Sequence, residues 1–184
     1  NRHTYNAQIS NYDLWDTYLP AFEQLVKQAK VTGVMCAYNS FFGQPCCGND
    51  LLMTDILRNQ WKFDGYVTSD CGGIEDFYKH HKTHPDEASA AADAVLHGTD
   101  CECSHNGAYQ ALADAIGEGL ITEEQLDTSV KRLFKLRFQM GMFDPEQRVP
   151  YARIPTSVLE CREHQEHALE MARQSIVLLK NEND

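Results

Sequence analysis

The sequence has 184 residues, of which 42% are apolar, and a formal net charge of −11 at pH 7. This length and apolar content suit one folded domain with its own core. The acidic balance, without any cluster of Lys or Arg, argues against nucleic acid and anionic membranes as partners. No apolar run approaches the roughly 18 residues of a membrane-spanning helix. The chain begins at Asn1 rather than Met, so we expect it to derive from a longer protein.

Helical and strand-like patterns alternate along the first 140 residues. Helices are predicted over residues 14–30, 50–60, 86–97, 107–117 and 122–139. Short apolar strands are predicted for VMCAYN (34–39) and GYVTSD (65–70), and GTDCEC (98–103) is a candidate for a third. Thr122 and Gln125 form a capping-box pattern at the start of the last helix. Apolar strands that alternate with helices are typical of a parallel sheet.

The pattern changes after Gly141. Residues 141–157 hold three prolines and no periodicity, so they are predicted to be a linker. A helix over 159–174 and the strand-like segment SIVLLK (175–180) follow. A strand needs a sheet, and we interpret this last segment as the first step of a second domain.

The seven cysteines leave the disulfide state open. A disulfide scaffold is not expected at this length and core size. One or two bridges, with Cys36 paired to Cys46 or Cys47, are compatible with the sequence. Free buried thiols and reactive thiols are equally compatible.

The stretch GYVTSDCGGIEDF (65–77) places the carboxylate of Asp70 where a predicted strand ends, beside small residues. Tyr38 occupies the equivalent place in VMCAYN. In parallel α/β folds the reactive side chains lie at the carboxyl ends of strands. Asp70 is therefore a candidate nucleophile, general base or metal ligand. The alternative is that Asp70 caps the helix that follows it.

Several motifs together resemble the family-3 glycoside hydrolases. The segments are VMCAYNSFFGQP, NDLLMTDILRNQWKFDGYVTSDCGGI, DAVLHGTD, EGLITEEQLDTSVKRLFKLRFQMGMFD and ARQSIVLLKNEND. They follow the family's order and intervals and cover most of the chain. The resemblance implies an α/β fold in which residues 1–140 form the C-terminal half of a (β/α)₈ barrel. Residues 141–158 would be the linker, and residues 159–184 the start of a truncated second α/β domain.

The resemblance also assigns roles to residues. The family's catalytic nucleophile falls on Asp70, and the tyrosine beside it falls on Tyr38. An arginine that binds sugar hydroxyls falls on Arg2. The glutamate that acts as acid/base usually comes from the second domain and is not expected within this chain. A lysine–histidine pair that contacts the same sugar precedes Arg2 in the family and also lies outside the chain.

The implied activity is that of a retaining exo-β-glycosidase that acts on terminal β-D-xylosyl or β-D-glucosyl residues, with no cofactor and no metal. Cys71 stands where many family glucosidases have tryptophan, and the S-D-C motif resembles the β-xylosidase branch. The chain alone is expected to be inactive, because two parts of the site are missing. The family points to a periplasmic or extracellular location, although the sequence does not show the compartment, and the oligomeric state stays open.

Two other hypotheses remain at this point. In the first hypothesis the chain is a non-catalytic sugar-binding or structural fragment. In the second it is a zinc hydrolase. The zinc hypothesis uses a set of five residues, namely His80, His81, His84, Cys101 and Cys103, whose spacing is a weak metal motif. A polar loop explains those residues better. Glu75 and Asp76 are predicted to be charges at the N-terminus of the next helix.

Overall fold

The computed structural model describes residues 1–182, in two compact units. The first unit is Asn1–Gln139, and the second begins at Met140. The chain has mixed α/β content, with many helices and small sheets. The prediction that residues 159–184 begin a second domain includes Asn183 and Asp184, which lie outside the described residues.

The first unit contains five short strands in two sheets. They are β1 (Asn6–Ala7), β2 (Gly33–Cys36), β3 (Ser40–Phe41), β4 (Gln44–Pro45) and β5 (Tyr66–Ser69). Strand β3 pairs parallel with β1 and antiparallel with β4, whereas β2 and β5 form a parallel pair of their own. In that pair Cys36 lies opposite Ser69, so both strands end at the same edge. The segment GTDCEC is not a full third strand, because only Cys101 makes a bridge, to Thr68 of β5.

Helices surround these strands, close to the predicted positions. They are α1 (Asn11–Asp13), a π-helix (Leu14–Tyr18), α2 (Pro20–Lys27), a second π-helix (Asp50–Gln60), α3 (Asp76–Lys79), α4 (Glu87–Leu96), α5 (Leu112–Gly117) and α6 (Glu123–Gln139). Short 3₁₀ turns at Cys46–Gly48 and Ala108–Ala111 complete the unit.

Side-chain caps explain where two of these helices begin. The Asn49 side chain accepts a hydrogen bond of 2.9 Å from the amide of Leu52. Thr122 and Gln125 bond reciprocally: Thr122 N donates to Gln125 Oε1 at 2.9 Å, and Gln125 N donates to Thr122 Oγ1 at 3.3 Å. The predicted capping box is therefore confirmed. Each cap satisfies amide groups that the helix cannot pair by itself.

A buried carboxylate joins β5 to the helices. The side chain of Asp100 has no exposed surface. Its Oδ2 accepts from Arg58 Nη2 and from the amide of Val67 in β5, each at 2.8 Å, and its Oδ1 accepts from Arg132 Nη1 at 2.9 Å. Arg58 also donates to the carbonyls of Gly65 and Gly98. A buried charge is tolerated only when it is paired and hydrogen-bonded in this way.

The second unit consists of short turns and one helix. Three 3₁₀ turns, at Glu146–Arg148, Pro150–Arg153 and Thr156–Val158, precede α7 (Arg162–Ser175). The strand predicted for SIVLLK is wrong: residues 176–182 have no regular secondary structure, and Ile176 to Leu179 are exposed. An apolar run adopts a stable strand only beside a partner, and the described residues offer none to this segment. No helix in the described part of the chain has the length and apolar character needed to cross a membrane.

We predict that Asp100→Asn destabilises the protein by about 3–5 kcal/mol, because it leaves two arginines without their buried counter-charge. Chemical denaturation of the protein measures this loss. Asp64→Asn is the matched control, since Asp64 forms an exposed ion pair with Lys135 and should change stability by less than about 1 kcal/mol. Equal effects of the two substitutions would contradict the role of Asp100.

A second ionic contact makes stability depend on pH. His97 Nε2 lies 2.8 Å from Asp50 Oδ1, and its Nδ1 lies 2.8 Å from the carbonyl oxygen and 3.3 Å from the carboxylate of Asp93. Hydrogen bonding to Asp93, followed by the charge of that residue and by Asp50, raises the pKa of His97 to about 9 despite its burial.

Because the pKa of His97 is higher in the folded state, its contribution to stability is complete below about pH 6.5 and is lost as the pH rises toward 9. We expect the free energy of unfolding to fall by on the order of 2 kcal/mol over that interval. Measuring denaturation across this pH range in the protein and in His97→Gln tests the prediction. The slope should disappear in His97→Gln and persist in His105→Gln, which alters an exposed histidine.

Candidate active site

Asp70 lies directly after β5, and its backbone amide continues the pairing with β2 by donating to the carbonyl of Cys36 at 3.3 Å. The residue is half-buried, and its Oδ1 accepts a 2.7 Å hydrogen bond from the amide of Cys71. The expectation that it caps the next helix is wrong, since α3 has Glu75 at its N-cap position and no side-chain cap. One carboxylate oxygen of Asp70 is therefore held by the backbone at the strand end.

Tyr38 lies beside Asp70, because β2 and β5 end at the same edge. Its hydroxyl donates to the carbonyl oxygen of Cys71 at 2.8 Å. The pKa of Tyr38 is raised, first by desolvation and then by hydrogen bonding to Asp70 and by the negative charge of that carboxylate. The phenol is thus kept protonated as a hydrogen-bond donor next to Asp70.

Arg2 joins this pair from the start of the chain. Its guanidinium carbon lies 4.8 Å from the centre of the Tyr38 ring, which is within the range of a cation–π contact. The Arg2 side chain is exposed. The three residues singled out from the sequence, Asp70, Tyr38 and Arg2, are therefore brought together around Tyr38, although they come from three separate segments.

Two histidines that the sequence did not assign to the site also contact Tyr38. The ring centre of His3 lies 4.5 Å from that of Tyr38. His81 Nε2 lies 2.8 Å from the Tyr38 carbonyl oxygen, which ties the loop after α3 to the end of β2. Both contacts are long-range, so no spacing in the sequence could have indicated them.

Asp76 is more than the helix-terminal charge that the sequence predicted. Its side chain is 4% exposed, and its two oxygens bind different imidazoles: Oδ2 lies 2.8 Å from His3 Nδ1, and Oδ1 lies 2.6 Å from His80 Nδ1. The three ligand-type atoms lie within 4.8 Å of one another, a set that could hold a cation. The i,i+4 spacing of Asp76 and His80 was the one local signal for this cluster.

The five residues of the zinc hypothesis do not converge. His80 bonds to Asp76, His81 to the carbonyl of Tyr38, and His84 lies 3.5 Å from Asp93. Cys103 forms a disulfide bond, and Cys101 is a free thiol at the bridge to β5. The interpretation of this stretch as a polar loop after the Asp70 strand accounts for these contacts.

A disulfide bond closes the loop that carries Asp70. Cys71 is bonded to Cys103, and hydrogen bonds run beside the bridge, from Gly72 N to Cys103 O at 2.9 Å and from Cys103 N to Ser69 Oγ at 3.0 Å. The sequence did not indicate this pair. The residue next to Asp70 is therefore fixed covalently to the segment after Cys101.

A second disulfide bond, between Cys36 and Cys47, is one of the two pairings left open for Cys36. Cys46, Cys101 and Cys161 are free thiols. Burial raises the pKa of Cys46 to about 11, so this thiol is kept protonated and unreactive.

Comparison with known proteins adds independent information. Residues 2–136 match the Glycosyl hydrolase family 3 N terminal domain. A xylan 1,4-beta-xylosidase of Xylanibacter ruminicola is 46% identical over 184 residues, which is 100% of this chain and 21% of that protein.

Solved structures give the same result for the fold. A GH3 exo-beta-xylosidase (XlnD), in complex with a xylobiose aziridine activity-based probe, superposes with a TM-score of 0.90 at 35% identity, covering 98% of this chain and 24% of the other. A β-glucosidase from Erythrobacter marinus gives a TM-score of 0.86 at 30% identity, with coverages of 99% and 24%. The chain thus spans about a fifth to a quarter of the proteins that it matches.

We predict that the Cys71–Cys103 bond is found in the native protein. A tryptic digest without reduction should contain peptide 63–79 linked to peptide 83–131, detected by mass spectrometry. Cys101, in the second peptide, should carry the alkylating label added before digestion. Recovery of peptide 63–79 with an alkylated Cys71 would contradict the structure of this loop.

Proposed function

The chain belongs to glycoside hydrolase family 3, and on that basis we propose that the protein containing it is a retaining exo-β-glycosidase with Asp70 as its nucleophile. The observation that supports this proposal most strongly is the position of Asp70 at the carboxyl end of β5, with Tyr38 beside it and the Arg2 guanidinium over the Tyr38 ring. A carboxylate that is only half-buried and has one oxygen held by a backbone amide suits attack on a carbon atom.

In the proposed mechanism the carboxylate of Asp70 attacks the anomeric carbon as the glycosidic C–O bond breaks. A carboxylic acid elsewhere in the protein gives its proton to the leaving oxygen. This step leaves an ester between Asp70 and the sugar. Water, deprotonated by the same acid/base group, then attacks the anomeric carbon and releases the sugar with its configuration retained.

Tyr38 and Arg2 have supporting roles in this proposal. The Tyr38 hydroxyl donates a hydrogen bond to the Cys71 carbonyl and so orients Asp70 and Cys71 at the end of β5. This contact limits the rotation of the Asp70 side chain. The exposed guanidinium of Arg2 donates hydrogen bonds to sugar hydroxyls. The ring of Tyr38 lies under the Arg2 guanidinium, so these two groups keep a defined position relative to each other.

The rest of the site is proposed to lie in other parts of the protein. We propose that residues 1–140 are the C-terminal half of a (β/α)₈ barrel, that residues 141–158 are a linker, and that a second domain begins at 159 and supplies the acid/base. A retaining glycosidase needs its two carboxyl groups about 5–5.5 Å apart, and within residues 1–182 we assign no carboxylate to the acid/base role opposite Asp70. The isolated chain is therefore proposed to be inactive.

The proposed substrate is a terminal β-D-xylosyl residue, with β-D-glucosyl as the second choice. Cys71 follows the nucleophile directly, and its disulfide bond to Cys103 places a compact, rigid group beside the sugar site. The names of the relatives support this preference, since the xylosidases among them include the 46% identical protein and the structure with a TM-score of 0.90. No cofactor or metal enters the mechanism.

We predict that Asp70→Ala lowers the hydrolysis of an aryl β-D-xyloside by on the order of 10³-fold or more in the protein, because no other group can form the glycosyl ester. Added azide should restore part of the rate by attacking in place of the missing carboxylate. Asp127→Ala, which removes an exposed acid on α6, is the control and should leave the rate unchanged. Full activity of Asp70→Ala would exclude Asp70 as the nucleophile.

A further inference from the structure

The cluster of His3, Asp76 and His80 contacts Tyr38 through His3 but has no part in the mechanism above. Asp76 is buried, and each of its carboxylate oxygens contacts a different histidine. Of these two histidines, His3 also contacts the site, through the ring of Tyr38. A buried carboxylate with directed hydrogen bonds fixes the orientation of the groups bound to it.

The partners of His3 determine which ring nitrogen carries its proton. The Nε of Arg2, which can only donate, faces His3 Nε2 at 3.4 Å. His3 Nε2 is therefore the acceptor, and Nδ1 carries the hydrogen that is donated to Asp76 Oδ2 at 2.8 Å. A protonated Nδ1 is not a metal ligand. A hydrogen-bond relay from Arg2 through His3 to Asp76 thus accounts for the cluster without a cation.

We propose that His3 and Asp76 are positioning residues that hold the Arg2 side chain in its substrate-binding place over the Tyr38 ring. This proposal rests on the function proposed above. Asp76 orients the imidazole of His3, whose ring packs against Tyr38 and whose Nε2 receives the Arg2 side chain. Without the relay, the exposed Arg2 side chain would sample many rotamers and lose binding energy when it engages a sugar.

His80 provides a matched comparison within the same cluster. It binds the other oxygen of the Asp76 carboxylate and lies 5.4 Å from His3 between ring centres. In the described chain, its hydrogen-bond and ring contacts are with Asp76 and His3, not with Arg2 or Tyr38. Loss of either imidazole removes one hydrogen bond from Asp76, but of the two histidines it is His3 that contacts Tyr38 and Arg2.

The test compares His3→Ala with His80→Ala in the protein, with an aryl β-D-xyloside as substrate. We expect His3→Ala to raise KM about tenfold with kcat changed less than about twofold, because Arg2 binds substrate and transition state alike. His80→Ala should change both constants less than about twofold. Thermal unfolding of both variants shows whether they are equally folded. Equal KM values for the two variants would overturn the proposal.

A double-mutant cycle tests whether His3 acts through Arg2. If it does, Arg2→Ala and the double variant Arg2→Ala/His3→Ala should have the same KM within about twofold. Independent, multiplying effects would overturn the relay. A wild-type protein without glycosidase activity, or an active Asp70→Ala variant, contradicts the proposed function and the relay with it. An active wild type in which His3→Ala resembles His80→Ala contradicts the relay alone.

Discussion

The buried carboxylate of Asp100 fixes the strand on which the site depends. It accepts from the amide of Val67, three residues before Asp70, and from two arginines that come from the π-helix Asp50–Gln60 and from α6. The negative charge of Asp100 is compensated only while the two arginines and the Val67 amide stay in place. A shift of β5 would therefore break a hydrogen bond of a buried ion. Its register with β2 then sets Cys36 opposite Ser69, which brings Tyr38 and Asp70 to one edge. The geometry of the site thus follows from the core.

Three further restraints act on that edge. The bond between Cys71 and Cys103 closes the loop after Asp70, and the Tyr38 hydroxyl is bonded to the carbonyl within the same loop. His81, in the loop after α3, hydrogen-bonds to the backbone carbonyl of Tyr38. Each restraint limits the conformations of a group at this edge before substrate binds. Less conformational entropy is then lost on binding. A site held in this way suits a reaction that needs one carboxylate oxygen at a defined distance from a ring carbon.

How well the sequence predicted each feature depends on how far apart the interacting residues are. The capping box of Thr122 and Gln125 involves residues three apart, and it was predictable from the local pattern. The position of Asp70 at the end of β5 was predictable because the strand pattern before it is a local signal. The partners His3 and Asp76 are 73 residues apart, and Cys71 and Cys103 are 32 apart. Contacts over such separations produce no periodic pattern in the sequence, so neither pair could be predicted from it. The segment SIVLLK misled because apolarity favours a strand, whereas a strand also needs a neighbour.

The central claim is that a carboxylate oxygen of Asp70 becomes bonded to a sugar during catalysis. Inactivating the protein with 2-deoxy-2-fluoro-β-D-xylosyl fluoride and mapping the adduct by tandem mass spectrometry tests this claim directly, since the fluorine slows hydrolysis of the glycosyl ester. The account predicts one fluoroxylosyl group on peptide 63–79, with the fragment ions assigning it to Asp70. A label on any other residue, with Asp70 unmodified in the inactivated protein, would contradict it.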